Sequence, residues 1–314
     1  MAKFAGGSTY NFALSGNQAN GFFIPEIYSK KVQIALRKAA VAEAICNTDY
    51  MGEISSFGDT VNIIKEPQIA VADYTRGLAV TSTALTDQEL VLTVDQAKSF
   101  SFKIDDLEKR FSHINFQAIA ADNAAYALRD AMDSNILAAI NAGATVTTGM
   151  GTTSTPIDIG FASGEVDPLN QMALAAKELD EANAPEDGRW FVAAPEWYNQ
   201  LSNSASKLLS VDFNAGQGSI RNGLVASGLL RGFQMYKSNN LPTNDLSGAT
   251  PAGSATAPVA LFGHMSSTAA ASSMNKVETV RDTGTFSDIV RGLMVWGRKV
   301  LRPEVAGKII YTID

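Results

Sequence analysis

Apolar positions keep a three- and four-residue rhythm for longer in one stretch of this chain than anywhere else in it. From Asp105 and Asp106 to about Asn141 there is no Gly or Pro. Ile104, Leu107, Phe111, Ile114, Ala118, Ala121, Ala125, Leu128, Met132 and Ile136 mark one stripe. The rhythm predicts a single helix, and two acids in its first turn complement the helix dipole. At about 1.5 Å per residue it would run roughly 55 Å, well beyond the mean helix of a globular domain. Alanines in mid-stripe suit close packing on a sheet or loop better than coiled-coil knobs. The stretch reads as a structural spine.

Ahead of the spine the period shortens to two. Val61 and Ile63 alternate with polar neighbours, as do Phe100, Phe102 and Ile104, and Glu89 to Asp95 is strand-like. A polar span containing Asp73-Tyr74-Thr75-Arg76-Gly77 and Thr81-Ser82-Thr83 separates these runs. The simplest geometry over 58–104 is a long two-stranded ribbon with a broad tip. Such a ribbon is not stable alone in water, so it lies either on the rest of its own chain or on a neighbouring subunit. Residues 1–22, rich in Gly, Ser, Asn and Ala, read as an extended arm. Pro25 then opens a predicted helix to about Ile45, with Ile27, Ile34, Val41 and Ile45 on one stripe flanked by Lys30, Lys31, Arg37 and Lys38. Two readings stand for those bases: long side chains lying along an apolar edge, or a basic surface facing DNA.

After the spine, 143–164 reads as a loose loop and Leu169 to Ala182 as a helix. Arg189 to Ala194 reads as a buried strand ended by Pro195, and another helix begins at Glu196. Residues 214–223 and 243–258 are Gly-, Ser-, Ala- and Pro-rich and read as loops. Val277 to Val280, Ile289 to Trp296 and Ile309 to Ile313 are predicted strands. The nearly continuous apolar run of the second predicts burial on both faces.

Composition narrows the function. The 314 residues are 46% hydrophobic and carry 32 acidic against 25 basic side chains, a net charge of −7. That balance opposes a protein built to grip phosphates and suits one that must not stick to DNA nearby. One cysteine, Cys46, allows no internal disulfide and fits cytosolic synthesis. No apolar h-region and no membrane-length apolar run is visible.

Chemistry is hard to find. The two histidines, His113 and His264, lack ligand-pair spacing. Asp130 and Asp133 share a helix face and could hold a cation, but acids on an exposed helix face are normally just solvated. Gly216 to Gly223 has the wrong glycine spacing for a dinucleotide fingerprint, and Gly-x-Ser-x-Gly is absent. No catalytic residue, cofactor site or metal site is assigned; the expectation is a non-enzyme.

The order of elements (arm, short helix, ribbon, very long helix, αβ region, return strands) resembles the Hong Kong 97-type (HK97-like) major capsid proteins of tailed bacteriophages and the related encapsulin shells. Three phrases carry the resemblance: Arg189-Trp-Phe-Val-Ala-Ala-Pro195, Leu230-Arg-Gly-Phe-Gln-Met-Tyr-Lys-Ser238 with Asn240-Leu-Pro242, and Val290 to Glu304 with its Gly and Pro. The similarity extends over about residues 22–310.

The resemblance implies an α+β capsid fold: an N-arm with the short helix (1–57), an extended loop (58–104), a peripheral domain (105–142 and 259–314) and an axial domain (143–258). It implies inter-subunit contacts through Phe22, Phe23 and Ile24 of the arm and Tyr74, Arg76, Leu78, Leu85 and Leu90 of the loop. Lys30, Lys31, Arg37 and Lys38 would face the lumen. The implied partners are copies of itself in pentamers and hexamers, a portal protein, a separate scaffolding protein, decoration proteins and packaged double-stranded DNA held without sequence specificity; no membrane is involved. The location implied is the virion, after synthesis in the bacterial cytoplasm. Lys65 and Lys98 flank the ribbon with no lysine between, and no asparagine follows Asn275, so the shell is expected to be non-covalent. An encapsulin-type compartment is the alternative within the same fold, and an enzyme with an unrecognised site is the contrasting class.

Overall fold

Alternation along three adjacent strands builds the centre of the molecule. The computed structural model describes residues 37–38, 40–49, 60–65, 69, 71, 73, 76–77, 88–106, 116–145, 147–203, 229–245 and 256–313. Strands β4 (Ile157–Asp158), β5 (Arg189–Ala193), β6 (Gln234–Lys237), β7 (Thr243–Asp245), β8 (Thr256–His264) and β11 (Ala306–Thr312) form one mixed sheet in the order β4-β11-β8-β5-β6, with β7 on β8. Trp190, Val192, Val259, Leu261 and Ile310 point to one face, and Phe191, Ala193, Ala260, Phe262, Ile309 and Tyr311 to the other; all are buried. A sheet apolar on both faces needs a layer on each side.

On the first face lies the spine, α2 (Phe116–Gly143), through Met132, Ile136, Leu137 and Ile140. On the second lie α3 (Pro168–Glu181) and α4 (Pro195–Leu201), through Leu169, Met172, Ala175, Leu179, Trp197 and Leu201. The local signals for α3 are strong. Asp167 caps it by accepting the Leu169 N–H at 2.8 Å, and Pro168 fills the first turn. Pro195 both ends β5 and opens α4, because its missing N–H is one the first helical turn leaves unpaired anyway.

A second sheet leans on the same spine. Strands β9 (Thr268–Arg281) and β10 (Ser287–Val300), each 14 residues, pair antiparallel, and β3 (Gln96–Asp105) closes the order β3-β10-β9. Met294 and Trp296 of β10 join the spine's core, and the Trp296 indole N–H donates to Asn135 Oδ1 at 3.1 Å. Lys308 donates to the Asn141 carbonyl at 2.7 Å, a cation on the last turn of the spine where the dipole favours it.

Several expectations are corrected. Of the helix predicted from Pro25 to Ile45, the described part is helical only as α1 (Ala42–Ile45), while Arg37, Lys38, Ala40 and Val41 are not helical; 25–36 lie outside the described residues. The spine ends as predicted, but its buried stripe is confined to its second half: Ala118 and Ala125 are exposed and only from Met132 onward is the helix deeply covered. Residues 243–258 are not all loop, since β7 and the start of β8 pair there, Thr243 opposite Pro258. Strand β10 is buried on both faces only over Met294 to Gly297; before that Arg291 and Leu293 face outward. The 143–164 segment is turn-rich but pinned to β11, with the Ile310 N–H donating to the Met150 carbonyl at 3.0 Å.

Candidate functional site

The ribbon exists, and it has two unlike faces. Strands β1 (Thr60–Lys65) and β2 (Gln88–Thr93) pair antiparallel, Val61 opposite Leu92 and Ile63 opposite Leu90. That inward row packs with Val94, Ala269, Ala271 and Val295, and Leu92 and Val94 are fully buried. The outward row carries Thr60, Asn62 and Ile64 across from Thr93, Val91 and Glu89. Ile64 is 78% exposed and Val91 41%; beyond the strands Ile69 and Val71 are 74% and 97% exposed. The run with Phe100, Phe102 and Ile104 is not part of the ribbon: it is β3, an edge strand of the long sheet, paired to β10 from Asp105–Ser287 to Gln96–Trp296. The chain turns between β2 and β3 where β10 has Gly297. A Cβ there would sit 2.6 Å from the Thr93 carbonyl oxygen and 3.0 Å from the Val94 Cα, so only glycine admits the close approach.

The ribbon base is therefore anchored on its own chain while the residues of its outer row are exposed. The same face of the long sheet that receives the base at Val295 continues to Leu293, Ile289 and Val280, which are half-buried or exposed. Phe286, on the turn between β9 and β10, is 82% exposed. That turn is firmly held. Asp282 accepts from Lys103, Thr285 Oγ1 and the Gly284 N–H, which together hold its carboxyl well below the usual carboxylate range. Arg281 bridges Asp106 and Asp288.

The segment entering α1 is strapped to the spine by side chains the sequence had marked for other roles. Arg37 pairs with Asp122, donates to Asn123 Oδ1 and lies over the Tyr126 ring at 5.3 Å. The Lys38 N–H donates to the Tyr126 hydroxyl at 2.6 Å. Asp133 is not a solvated acid: it is 2% exposed, and its Oδ1 accepts the Val41 and Ala42 N–H groups at 2.7 Å each. Its Oδ2 accepts from Asn240 Nδ2 at 2.9 Å, which also donates to Asp130 at 2.7 Å. This carboxylate explains why α1 starts where it does, because a buried anion at its N-terminal end satisfies donors no helical carbonyl can reach. Sequence reasoning placed Asp130 and Asp133 on one face but missed Asn240. Its only signal was an Asn-Leu-Pro turn with Ser238 Oγ accepting the Asn240 N–H.

Of the expected contact residues, Arg76 is exposed in a turn and Leu90 is half-buried on the inward row of the ribbon. Phe22, Phe23, Ile24, Tyr74, Leu78 and Leu85 lie outside the described residues, as do Lys30, Lys31, His113 and 214–223. His264 shares its Nδ1 with Ser266 and its Nε2 with the Asp187 carbonyl, so it caps a turn. Cys46 is buried, and burial reinforced by Asp133 pushes its thiol up to about 12, the opposite of an activated nucleophile. Among the described residues no three His, Cys, Asp or Glu side chains come together as metal ligands, and no helix is long and apolar enough to cross a membrane.

A model of the phage capsid protein family matches residues 87–309, from the start of the ribbon's second strand into β11. The chain belongs to that family. A chain from Mycobacterium phage Che8 is similar to this capsid protein at 30% identity, over 94% of this chain and 98% of its own, with a TM-score of 0.76. The capsid structure of cyanophage P-SCSP1u has 22% identity, coverage of 93% and 94%, and a TM-score of 0.71. The mature capsid of bacteriophage PhiM1 has 16% identity, coverage of 97% of both chains, and a TM-score of 0.68; it shares the fold. No curated protein matches the chain. The expected Hong Kong 97-type fold is thus the observed one, and the protein is a major capsid protein that forms a phage shell. Ribbon, spine and long sheet are parts of that capsid subunit.

Proposed function

We propose that the subunits close into an icosahedral shell of pentamers and hexamers around double-stranded DNA, each ribbon seating its outer row on the next copy. The observation that carries this is Ile64 and Val91, apolar and open on the outer row of a ribbon whose other face is already packed, with Ile69 and Val71 exposed beyond the strands. A cluster of that kind on a two-stranded element is an association surface rather than a scatter of exposed apolar residues. We assign the spine and the long sheet to the peripheral domain and the six-stranded sheet with α3 and α4 to the axial domain. This moves most of β8 and all of β11 to the axial side of the boundary expected at residue 258, because they share a sheet with β5 and β6. The proposed contacts of the ribbon include Tyr74, Arg76, Leu78 and Leu85; those of the arm include Phe22, Phe23 and Ile24.

Arg37 and Lys38 engage the spine, which leaves Lys30 and Lys31 as the bases we place toward the lumen. The acidic balance of the whole chain lets packaged DNA slide. The remaining partners we propose are a portal protein, a separate scaffolding protein and decoration proteins, with synthesis in the host cytoplasm and a shell joined without covalent crosslinks. Purified protein examined by sedimentation and electron microscopy tests the reading. Closed particles for the natural chain and dispersed subunits for Ile64→Asp are expected; particles unaffected by Ile64→Asp would overturn the role of the ribbon. Boiled, reduced particles are expected to run as one monomer band, and a ladder of multimers would refute a non-covalent shell.

A further inference from the structure

One turn of the axial sheet breaks its own local rule. Leu230 and Phe233 exchange both backbone hydrogen bonds, at 3.0 and 2.9 Å, around Arg231 and Gly232. Both central residues have positive φ, 52° and 83°, the two-residue hairpin turn whose first central position prefers Asn, Asp or Gly. Arginine there is strained, and its side chain is exposed without a hydrogen bond or ion pair among the described residues. Leu229 beside it is 66% exposed. Among the described residues nothing engages this strained cation, and sites where local preference is violated are where function is to be sought.

The opposite flank of the same sheet offers what this turn lacks. A cavity of about 420 Å³ opens there, its walls including Leu179, Phe262 and Pro303 and its rim carrying Glu178, Glu181 and Glu304. The α3 C-terminus ends at this cavity without a basic residue in its last turn, so the helix dipole adds to the negative field. Lys177 pairs with Glu181 at 3.3 Å on the exposed side; Glu178 and Glu304 have no ion-pair partner among the described residues.

Register places turn and cavity at one end of the sheet. Trp190 is opposite Gln234 on one side and Gly263 on the other, and Gly263 is opposite Ala306, so β6 and β11 both start at that end. In the order β11-β8-β5-β6, the turn is on the β6 flank and the cavity on the β11 side. Unlike patches on opposite flanks of one molecule make a head-to-tail contact, and repetition about an axis closes a ring.

We infer that the Leu229–Arg231 turn of one subunit docks into the Glu178–Glu304 cavity of the next copy within a ring of subunits. Leu229 meets the apolar wall and the Arg231 guanidinium meets the acidic rim. The contact rests on the self-assembly reading above and specifies where two copies join.

Charge exchange tests it. Arg231→Asn relaxes the turn, so the unfolding midpoint of the subunit should hold or rise while the protein concentration needed for assembly rises about tenfold. Arg231→Glu should raise it further, and Glu304→Lys added to Arg231→Glu should return it to within about threefold of the natural chain. Arg231 variants that assemble at the natural concentration would overturn the contact, as would a double variant no better than Arg231→Glu alone. A natural chain that never assembles would sink the shell reading with it, whereas natural shells indifferent to Arg231 would sink this contact only.

Discussion

Replacing Asp133 with alanine should be among the most damaging single changes in the subunit. The carboxylate is 2% exposed and accepts three hydrogen bonds, from the Val41 and Ala42 N–H groups at 2.7 Å and from Asn240 at 2.9 Å. Hydrogen bonds to a charged acceptor contribute about 1.5–3 kcal/mol each, and each donor left buried without a partner carries a further cost. The three share one acceptor group and are not additive, so a total of about 4 kcal/mol is expected for Asp133→Ala. At about 2 °C per kcal/mol for a chain of this size, the midpoint of thermal unfolding falls by about 8 °C. Asp133→Asn should fall roughly half as far: its amide keeps one acceptor, but its own N–H₂ faces groups that also donate. The assay is unfolding of unassembled subunits by heat and by urea, with amide exchange read at Val41 and Ala42. Loss of protection at those two amides ahead of the rest of the chain is the local signature. An alanine variant within about 1 kcal/mol of the natural chain, with those amides still protected, would refute the assignment of Asp133 as the clamp between α1, the spine and the Asn240 turn.

Further outcomes follow from the same geometry. Gly297→Ala should lift the ribbon base from β10, since its Cβ would sit 2.6 Å from the Thr93 carbonyl; amide exchange in β2 should accelerate with little change in β5. Cys46, raised from 9.0 to about 12, should react with a thiol reagent at pH 8 about a thousandfold more slowly than in unfolded protein. Because its folded pKa lies above the unfolded one, its contribution to stability is complete below pH 9 and declines as pH climbs toward 12. Asp282 runs the other way. Lys103, Thr285 and the Gly284 N–H depress its pKa, so the order it gives the β9–β10 turn is complete above the ordinary carboxylate range and is lost only as pH falls below that range, through the depressed pKa. Asp282→Asn should remove that acid dependence, read as amide exchange at Gly284 against pH.

Much of the six-stranded sheet and its covering helices was legible because local signals and burial agreed. Asp167-Pro168 before a 3.6-residue stripe and Pro195 after five apolar residues mark α3, β5 and α4 without tertiary help. The ribbon was legible as a strand pair that needs support; the expectation that it has no core within its own chain is corrected, since its inward row packs on Ala269, Ala271 and Val295. Strand β8 was missed. Val259-Ala-Leu-Phe-Gly-His is short and follows a Pro- and Ala-rich run, and it is a strand because β5 and β11 flank it. The predicted helix fails over the described residues 37–38 and 40–41 because periodicity cannot register the Asp133 carboxylate, 91 residues from Ala42, that takes the backbone donors and sets where α1 begins. The alanine stripe of the spine misled for a related reason. Alanine fits a buried and an exposed helix face equally well, and only the partner layer decides.

The central claim is that the outer row of the ribbon is left open in the subunit and covered in the shell. Ile64→Cys turns it into one rate measurement, because the natural Cys46 is buried and slow to react. Position 64 should label rapidly in dispersed subunits and at least about tenfold more slowly in closed particles. Equal labelling in the two states would show that no neighbour covers the ribbon there and would contradict the account.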